Sequence, residues 1–269
     1  MESFSINLSS LVSPLLLLLQ PEKPHDITIM LCELITNNTH NNNIALYKCY
    51  NANKVFYRKA AFSHWGNKVI ENEKKGYEWF YNDSETLIET RLKKGYFYEL
   101  DIPQFKGRKF QSESIISGNE ETIEMLIDFY KDRWSAKDVF AIHGDLALCN
   151  FVIDGKNIKL VDWEHFHYSD KEYYGYDIIN MLFILIYHES KRTFSLKKRN
   201  KDFIKQCYIQ LIEGVGNGNK ILEKPFQNAK DYLLKFKDRF LINTNIYDKF
   251  VLSGSPLSVL EHFDSIVTK

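Results

Sequence analysis

The segment from Ala141 to Phe166, AIHGDLALCNFVIDGKNIKLVDWEHF, constrains this chain more than any other. It places acids, an amide and a histidine around two short apolar runs that predict β-strands. Asp145 and Asn150 precede the first run, and Asp162 follows the second. Carboxylate and amide oxygens are the ligands that Mg²⁺ prefers. The segment therefore predicts a phosphoryl-transfer site, because that chemistry depends on positioning and on charge neutralisation.

Length and composition are those of an ordinary globular protein. The 269 residues are enough for one large domain or two lobes, and 44% hydrophobic with 26% charged residues argues against disorder. Because 35 basic residues balance 35 acidic ones, the composition provides no general attraction to nucleic acid or to an anionic membrane. We therefore expect no nucleic-acid partner, and nothing in the sequence indicates an obligate protein partner.

The four cysteines, Cys32, Cys49, Cys149 and Cys207, are far apart in the sequence and form no Cys-x-x-Cys pair. This spacing is more typical of free thiols than of a zinc site or a disulfide framework. Free thiols persist in reducing compartments, so the pattern predicts a cytoplasmic protein.

An apolar run near the N-terminus, LVSPLLLLL from Leu11 to Leu19, is too short to span a bilayer and contains Pro14. The residues before it include Glu2 and no lysine or arginine, unlike a signal peptide. We expect residues 1–24 to form an N-terminal extension whose apolar run is a packed or interfacial helix. Peripheral contact with a membrane is the alternative, and stable insertion is not expected.

The predicted elements are strands first and helices later. β-Branched and alternating runs predict strands at 27–35, 44–50, 54–62, 96–105 and 109–116. Helical periodicity predicts helices at 67–81 and 119–134, and mostly helices after residue 190. This order indicates an α+β protein with a sheet-containing lobe in residues 25–117 and a mainly helical lobe in residues 118–269.

The predicted helix at 67–81 carries an acid among its apolar positions. Glu73 and Tyr77 lie near one face at helical spacing, so Glu73 needs a partner if that face is buried. Lys59 on the preceding strand is the candidate partner. Arg58 is the alternative, because adjacent residues on a regular strand face opposite sides.

The central segment also matches a known motif. The run HGDL at 143–146, followed by Asn150, fits the kinase pattern H-R-D-L-x-x-x-N in every fixed position except glycine for arginine. Together with LVDWE at 160–164, it resembles the aminoglycoside phosphotransferase and choline kinase family, in which HGD is usual. The resemblance implies a bilobal, protein-kinase-like fold with a small antiparallel-sheet N-lobe and a mainly helical C-lobe. It also implies an enzyme that uses ATP and Mg²⁺.

The resemblance gives roles to the residues of this segment. Asp145 would be the catalytic base, and His143 would brace its loop. Asn150 and Asp162 would bind Mg²⁺. Asp177 would cap the next helix and help to hold the catalytic loop.

On the nucleotide side, the resemblance implies that Lys59 contacts the phosphates and pairs with Glu73. It also implies that Ile115 and Ile116 belong to a hinge whose backbone meets adenine. The phosphate-covering loop, TNNTHNNN at 36–43, has no glycine where the family often has one. ATP is therefore the expected nucleotide, and GTP is the alternative.

The acceptor site is expected beside Asp145. Glu164 and Asp170 would attract a cationic amine, and Trp163 and Tyr168 offer aromatic faces for cation–π contact or sugar stacking. The expected acceptor is a small molecule with a free hydroxyl. It is a sugar or amino sugar, including one of a surface glycan, or a choline-like amino alcohol.

Two functions of other classes are compatible with the same residues. A nucleotide-binding pseudokinase would act as a scaffold without catalysis, and the glycine-free loop at 36–43 favours it. Retention of Asp145, Asn150 and Asp162 favours catalysis. The second alternative is a metal-dependent hydrolase that uses His143, Asp145 and Asp162.

Overall fold

The structure, a computed structural model, describes residues 15–21, 27–37, 43–51, 54–82, 84–111, 114–193 and 198–213. The chain divides into two compact units, Met1–Gln104 and Phe105–Lys269. The boundary predicted from the sequence, after residue 117, differs from the observed one.

The N-terminal unit is built on a six-stranded antiparallel sheet. Its strands are β1 (Leu15–Pro21), β2 (Ile27–Asn37), β3 (Ile44–Asn51), β4 (Lys54–Ala61), β5 (Arg91–Lys94) and β6 (Tyr98–Pro103). Their order in the sheet is β1-β2-β3-β4-β6-β5. The three-stranded meander predicted between residues 27 and 62 is confirmed, because β2 pairs with β3 and β3 pairs with β4.

The described part of the apolar run near the N-terminus, residues 15–19, lies in strand β1, and the prediction of a helix there is wrong. β1 pairs with β2 from Leu15, opposite Glu33, to Pro21, opposite Ile27. A short apolar run fits a buried strand as well as a helix, so its pattern does not discriminate between them. Residues 15–21 are therefore part of the sheet rather than of a separate extension, and residues 1–14 lie outside the described part.

Helix α1 (His64–Phe80) follows β4 and packs against it. The side chain of Ser63 caps its N-terminus by accepting a hydrogen bond from the backbone N–H of Gly66 at 2.9 Å. Its buried face includes Glu73 and Tyr77, as the periodicity predicts. Helix α2 (Ser84–Glu89) then leads to β5 and β6, which pair with each other.

The described part of the second unit combines short strands with three helices. Its elements are β7 (Arg108–Lys109), α3 (Glu120–Ser135), β8 (Ala141–Ile142), β9 (Phe151–Asp154), β10 (Asn157–Leu160), β11 (His167–Tyr168), α4 (Tyr176–Thr193) and α5 (Lys198–Ile212). β9 pairs with both β10 and β7, and β11 pairs with β8. A sheet unit followed by a mainly helical unit confirms the predicted α+β class. None of the helices described has both the length and the apolar character needed to cross a membrane.

Of the strand predicted at 109–116, the described residues show only the two-residue strand β7 at Arg108–Lys109. Arg108 pairs with Ile153 and Lys109 with Val152, so this stretch joins the sheet of the second unit. Gly107 allows this stretch to lie close to β9, because a Cβ at that position would lie 2.8 Å from the backbone carbon of Ile153. This pairing explains why the second unit begins earlier than the sequence predicts.

A disulfide joins the neighbouring strands β2 and β3. Cys32 and Cys49 are register partners with Cα atoms 4.2 Å apart, and both side chains are fully buried. The prediction that all the cysteines are free thiols is therefore wrong for this pair. The two cysteines are 17 residues apart in the sequence, so their direct contact becomes evident only from the register of β2 and β3. Cys149 and Cys207 are free.

We predict that replacing Cys32 and Cys49 together with alanine lowers the free energy of unfolding by about 2–4 kcal/mol, because the disulfide restricts the unfolded chain. Denaturant unfolding of both proteins, with and without reductant, measures this difference. With reductant present, the wild type should lose most of the extra free energy of unfolding that it has over the double variant. Equal unfolding midpoints for the oxidised wild type and the variant would contradict the prediction.

Candidate active site

A buried ion pair lies in the N-terminal unit, between β4 and α1. Lys59 Nζ is 2.8 Å from Glu73 Oε2, and the two side chains are 10% and 0% exposed. A carboxylate this deeply buried needs a cation beside it, because an isolated buried charge is very costly. The sequence is compatible with either Lys59 or Arg58 as the partner of Glu73. In the structure the partner is Lys59.

Arg58 makes its contacts within the sheet. Its Nη2 donates to Asp101 Oδ2 at 2.9 Å, and its Nη1 lies 3.1 Å from Glu99 Oε2. Burial alone would lower the pKa of Arg58, but the hydrogen bond and charge of Asp101 outweigh burial and raise that pKa. These contacts link β4 to β6, while the adjacent Lys59 faces the other side of the strand.

In the second unit, a buried carboxylate anchors the loop that precedes β9. Asp177 lies in the first turn of α4 and is fully buried. Its Oδ2 accepts the backbone N–H of His143 at 3.0 Å, and its Oδ1 accepts that of Gly144 at 3.0 Å. Both oxygens of one carboxylate therefore hold the two residues directly before Asp145.

Gly144 is required at its position by both conformation and space. Its φ of +86° lies in the left-handed region, which side chains rarely adopt. A Cβ there would lie 2.8 Å from the Cβ of His165 and would collide with the carbonyl oxygen of the same residue. The glycine that distinguishes this chain from the H-R-D pattern is thus explained by the close approach of the segment that contains His165.

His143 is a structural support of the loop rather than a reacting group. Its side chain is fully buried, and its Nε2 lies 3.0 Å from the carbonyl oxygen of Val161. Its ring packs 4.5 Å from the ring of Trp163, measured between centroids. His143 therefore connects the loop before β9 with the segment that follows β10.

Asn150 ends this loop and connects it to the same segment. Its Nδ2 donates to the backbone carbonyl of Asp145 at 2.7 Å, and its own carbonyl accepts the N–H of Val161 at 3.0 Å. The thiol of Cys149 lies 3.6 Å from Asn150 Oδ1. Because the amide nitrogen is committed to Asp145, the amide oxygen is oriented as the acceptor, which is the form that a metal ligand needs.

Asp162 has an unusual backbone conformation. It is the one non-glycine residue with positive φ in the part of the chain that the structure describes, at 69°. This conformation costs free energy and persists only where the surrounding structure imposes it, which occurs most often at functional sites. Its place at the end of β10 agrees with the role of metal ligand that the sequence resemblance implies.

Asp145 lies in a strongly charged environment. It is partly exposed, yet protein surrounds it closely enough that burial is the main reason its pKa is raised. The positive charge of His165 opposes this shift. The negative charges of Asp162 and Glu164 add to it. A carboxylate with a raised pKa is suited to accept a proton from a hydroxyl group.

Cys149 is adjacent to Asn150 but is not a nucleophile at neutral pH. Burial raises the pKa of its thiol to about 11, and the charges of Asp145 and Asp162 contribute to the same shift. The thiolate is the reactive form of cysteine, so this residue remains a protonated thiol. The chemistry of the site is therefore that of its carboxylates and amide.

Trp163 belongs to the core, and the prediction that its face meets the acceptor is wrong. Its side chain is 0% exposed. Its ring lies between those of His143 and Trp134, with the Trp134 centroid 6.4 Å away. Trp134 in turn stacks on Tyr130 at 4.3 Å and donates its Nε1–H to the carbonyl of Ala141 at 2.9 Å. Although Trp163 directly follows Asp162 in the sequence, its side chain is thus a packing residue.

Of the other predicted acceptor residues, Glu164 lies close enough for its charge to act on Asp145. Tyr168 pairs with Ala141 in β11 and is 58% exposed. Asp170 is also exposed. Contact of Tyr168 and Asp170 with an acceptor stays a prediction.

The segment of the predicted hinge, which contains Ile115 and Ile116, makes contacts within the second unit. The carbonyl of Ile115 accepts Asn119 Nδ2 at 2.8 Å, and that of Ile116 accepts Asn119 N at 2.9 Å. The backbone N–H and hydroxyl of Ser117 donate to the buried carboxylate of Glu189 at 3.2 and 2.9 Å. The adenine-binding role of Ile115 and Ile116 stays a prediction.

His165 and Glu189 are the residues near these segments that sequence analysis missed. His165 acts on the charge of Asp145, and Glu189 holds Ser117 in place. His165 directly follows the recognised motif, and its close approach to Gly144 is visible only in the structure. Glu189 has no sequence signal, because its partner lies 72 residues away.

No protein-family model matches the chain, and no curated protein matches it. Several solved structures are similar to it. An amicoumacin kinase in complex with AMP-PNP, Ca²⁺ and Ami is 12% identical, with 94% of this chain and 90% of that chain covered and a TM-score of 0.46. An aminoglycoside phosphotransferase from Streptomyces rimosus is 11% identical, with 71% and 89% covered and a TM-score of 0.47. A Plasmodium vivax ethanolamine kinase is 9% identical, with 71% and 70% covered and a TM-score of 0.43.

All three TM-scores are below 0.5, so none of these similarities assigns a function to this chain.

We predict that Asp177→Asn lowers the free energy of unfolding by about 1–3 kcal/mol, because an amide cannot accept both N–H groups. Burial raises the pKa of Asp177 from its ordinary 3.8 to about 7, against the hydrogen bonds from His143 and Gly144. The folded protein therefore holds this proton more tightly than the unfolded chain, and the stability that the proton contributes is lost as pH rises from about 4 to about 7.

Denaturant unfolding of the wild type and Asp177→Asn between pH 4 and pH 8 measures both effects. The stability gap between the two proteins should narrow as pH rises, because only the wild type loses the proton. A gap that widens with pH would show that the ionised carboxylate is the stabilising form.

Proposed function

We propose that the chain is a Mg²⁺-dependent phosphotransferase that moves the γ-phosphate of ATP to a hydroxyl group of a small molecule. The observation that carries this proposal is the arrangement around Asp145. A loop anchored by Asp177 presents Asp145, its backbone is bonded to the amide of Asn150, and the charge of Asp162 acts on its carboxylate. A base and two oxygen ligands held together in this way suit phosphoryl transfer.

In the proposed reaction, Asp145 accepts the proton of the acceptor hydroxyl as the oxygen attacks the γ-phosphate. Its raised pKa supports this role, because a base works best when its pKa lies near the working pH. Lys59, held by Glu73, supplies a fixed cation in the N-terminal unit for the nucleotide phosphates. ATP is the proposed donor and GTP is the alternative.

Asn150 and Asp162 are the proposed Mg²⁺ ligands. Both offer oxygen atoms, as a hard divalent cation requires. The negative charges that raise the pKa of Asp145 are of the kind that a bound cation relieves. When bound, Mg²⁺ neutralises charge on the nucleotide phosphates.

The proposed acceptor is a sugar or amino sugar, including one of a surface glycan, or a choline-like amino alcohol. Glu164 supports a preference for a cationic amine, since its carboxylate lies close enough to act on Asp145. The solved structures with similar chains include an aminoglycoside phosphotransferase and an ethanolamine kinase, both named for amine-bearing acceptors.

A cytoplasmic location is part of the proposal, because ATP is abundant there. Disulfides are uncommon in that compartment, so the oxidation state of Cys32 and Cys49 in the cell tests the proposed location. Alkylation of thiols in intact cells, followed by mass spectrometry of the peptides that contain Cys32 and Cys49, measures that state. Although the structure joins the two sulfurs, a cytoplasmic location predicts that cellular reductants keep a large share of the pair as free thiols.

We predict that purified wild-type protein, with Mg²⁺-ATP and a panel of amino alcohols, aminoglycosides and sugars, phosphorylates at least one acceptor. Asp145→Asn should lower kcat by about 10²–10⁴-fold, because the hydroxyl loses its general base. Asp154→Asn is the matched control, since Asp154 is exposed at the end of β9, and its kcat should stay within about twofold of the wild type.

Equal kcat values for Asp145→Asn and the wild type would contradict the assignment of Asp145. Nucleotide binding without phosphorylation of any acceptor would favour the non-catalytic pseudokinase alternative. Release of phosphate by water alone, with no acceptor modified, would favour a hydrolase.

We further predict that removing the buried ion pair impairs the use of ATP. The double variant Lys59→Met/Glu73→Gln leaves no uncompensated buried charge, so it should fold, but it should lower kcat/KM for ATP about 100-fold or more. The surface pair Lys54–Glu89 provides the matched control. Lys54→Met/Glu89→Gln should change kcat/KM less than about twofold. Similar kcat/KM values for the two double variants would contradict the role of Lys59.

A further inference from the structure

Exposed aromatic side chains gather in the N-terminal unit where the turn between β5 and β6 contacts the start of α1. Tyr96 is 75% exposed and Phe97 is 39% exposed. The Tyr96 ring lies 4.8 Å from that of Phe97 and 5.5 Å from that of His64, measured between centroids. Phe62, two residues before His64, is 49% exposed. We call these four residues the aromatic tip. Single exposed aromatics are common on protein surfaces, whereas exposed rings in contact with one another mark an interaction site.

A buried amide holds the aromatic tip in place. The Nδ2 of Asn67 in α1 donates to the carbonyl oxygen of Tyr96 at 3.0 Å, and its Oδ1 accepts the backbone N–H of Tyr98 at 2.8 Å. The backbone of the turn is therefore bonded at two points to one side chain of the helix. Lys94 adds a further tie, because its Nζ pairs with Glu71 of α1. A binding surface that is already ordered loses little conformational entropy on binding.

The charged residues around the aromatic tip are mainly basic. The stretches 62–68 and 93–98 contain no acid and three lysines, Lys68, Lys93 and Lys94. Two of these lysines pair with acids from outside the stretches, Glu71 and Asp101. The third, Lys68, is exposed. Because the lysines outnumber these acids, the tip is attracted to a surface that carries negative charge.

The exposed area of the aromatic tip distinguishes a protein partner from a lipid partner. A Phe or Tyr side chain has roughly 150–250 Å² of surface, so the exposed fractions of Tyr96, Phe97 and Phe62 amount to roughly 300 Å². A stable complex with a protein, including a second copy of this chain, buries about 800 Å² on each partner. Binding to a lipid surface needs no such area, because its strength grows with each apolar side chain that enters the lipid and with each lysine. The tip is therefore too small for a stable protein interface and has the composition of a peripheral membrane contact.

We propose that the aromatic tip binds reversibly to an anionic lipid surface. Tyr96 and Phe97 enter the headgroup layer, and Lys68 is attracted to the anionic headgroups. The tip contains no residue proposed for catalysis, for metal binding or for contact with ATP. This inference goes beyond the proposed phosphotransferase function and does not depend on it.

The test uses the full-length protein, without nucleotide or acceptor, and sedimentation with vesicles. One set of vesicles is phosphatidylcholine alone, and the other is phosphatidylcholine mixed with phosphatidylglycerol. Tyr96→Ser/Phe97→Ser removes the aromatic rings, and Lys68→Gln removes one positive charge. Ile88→Ser is the apolar control, because Ile88 is exposed in α2 at the other end of β5. Lys156→Gln is the charge control, because Lys156 is exposed in the turn between β9 and β10. Thermal unfolding of every variant verifies its fold.

We expect the wild type to bind the vesicles that contain phosphatidylglycerol, and added salt should weaken this binding. Tyr96→Ser/Phe97→Ser should weaken it about tenfold or more, because apolar area that enters the lipid is lost. Lys68→Gln should weaken it about fivefold. Both controls should bind as the wild type does.

The inference is overturned if the wild type does not bind the anionic vesicles, and the proposed phosphotransferase function then still stands. Equal binding by the wild type and Tyr96→Ser/Phe97→Ser overturns it too, as does an equal loss of binding in Ile88→Ser. Light scattering after size-exclusion chromatography gives the oligomeric state. A wild-type dimer that Tyr96→Ser/Phe97→Ser converts to a monomer, without vesicle binding, would assign the tip to an interface between copies of the chain. Vesicle binding by a protein that phosphorylates no acceptor supports the inference and overturns only the proposed function.

Discussion

The carboxylate of Asp177 accepts hydrogen bonds from the backbone N–H groups of His143 and Gly144, and the rest of the candidate site is arranged around that contact. Buried N–H groups need partners, and here one residue in the first turn of α4 satisfies both. The contact fixes the chain directly before Asp145. Asn150 then closes the loop by bonding to the carbonyl of Asp145. The proposed base at the start of the loop and the proposed metal ligand at its end are thus held together by hydrogen bonds to the backbone.

The second constraint is the concentration of negative charge. Asp162 and Glu164 act on Asp145 within a partly buried space, and their negative charges make the ionised form of Asp145 less favourable. Such a site gains free energy from any cation that enters it. Positive charge near these carboxylates can come from three sources: a divalent metal ion, a cationic amine on the acceptor, and the side chain of His165. This geometry therefore suits a phosphotransferase for amine-bearing hydroxyl compounds.

Motifs that act through local sequence were predictable, whereas contacts set by register and burial were not. The loop from His143 to Asn150 was recognisable because its backbone geometry requires particular residues at fixed spacing, such as Gly144 and Asn150. The Cys32–Cys49 disulfide depends on strand register, which spacing alone does not reveal. Trp163 was misjudged because an aromatic beside a site has the same sequence signal whether it binds a ligand or fills the core. The apolar run in β1 was misjudged because a short run has no period that separates strand from helix.

Native-state hydrogen exchange of the His143 and Gly144 amides tests most directly whether Asp177 builds the site. If both amides are bonded to its buried carboxylate, they should exchange as slowly as core amides of β9 and α4, and both should exchange faster in Asp177→Asn. Exchange at the rate of the amide of Gly155, in the exposed turn between β9 and β10, would show that the loop is not anchored in this way and would contradict the account.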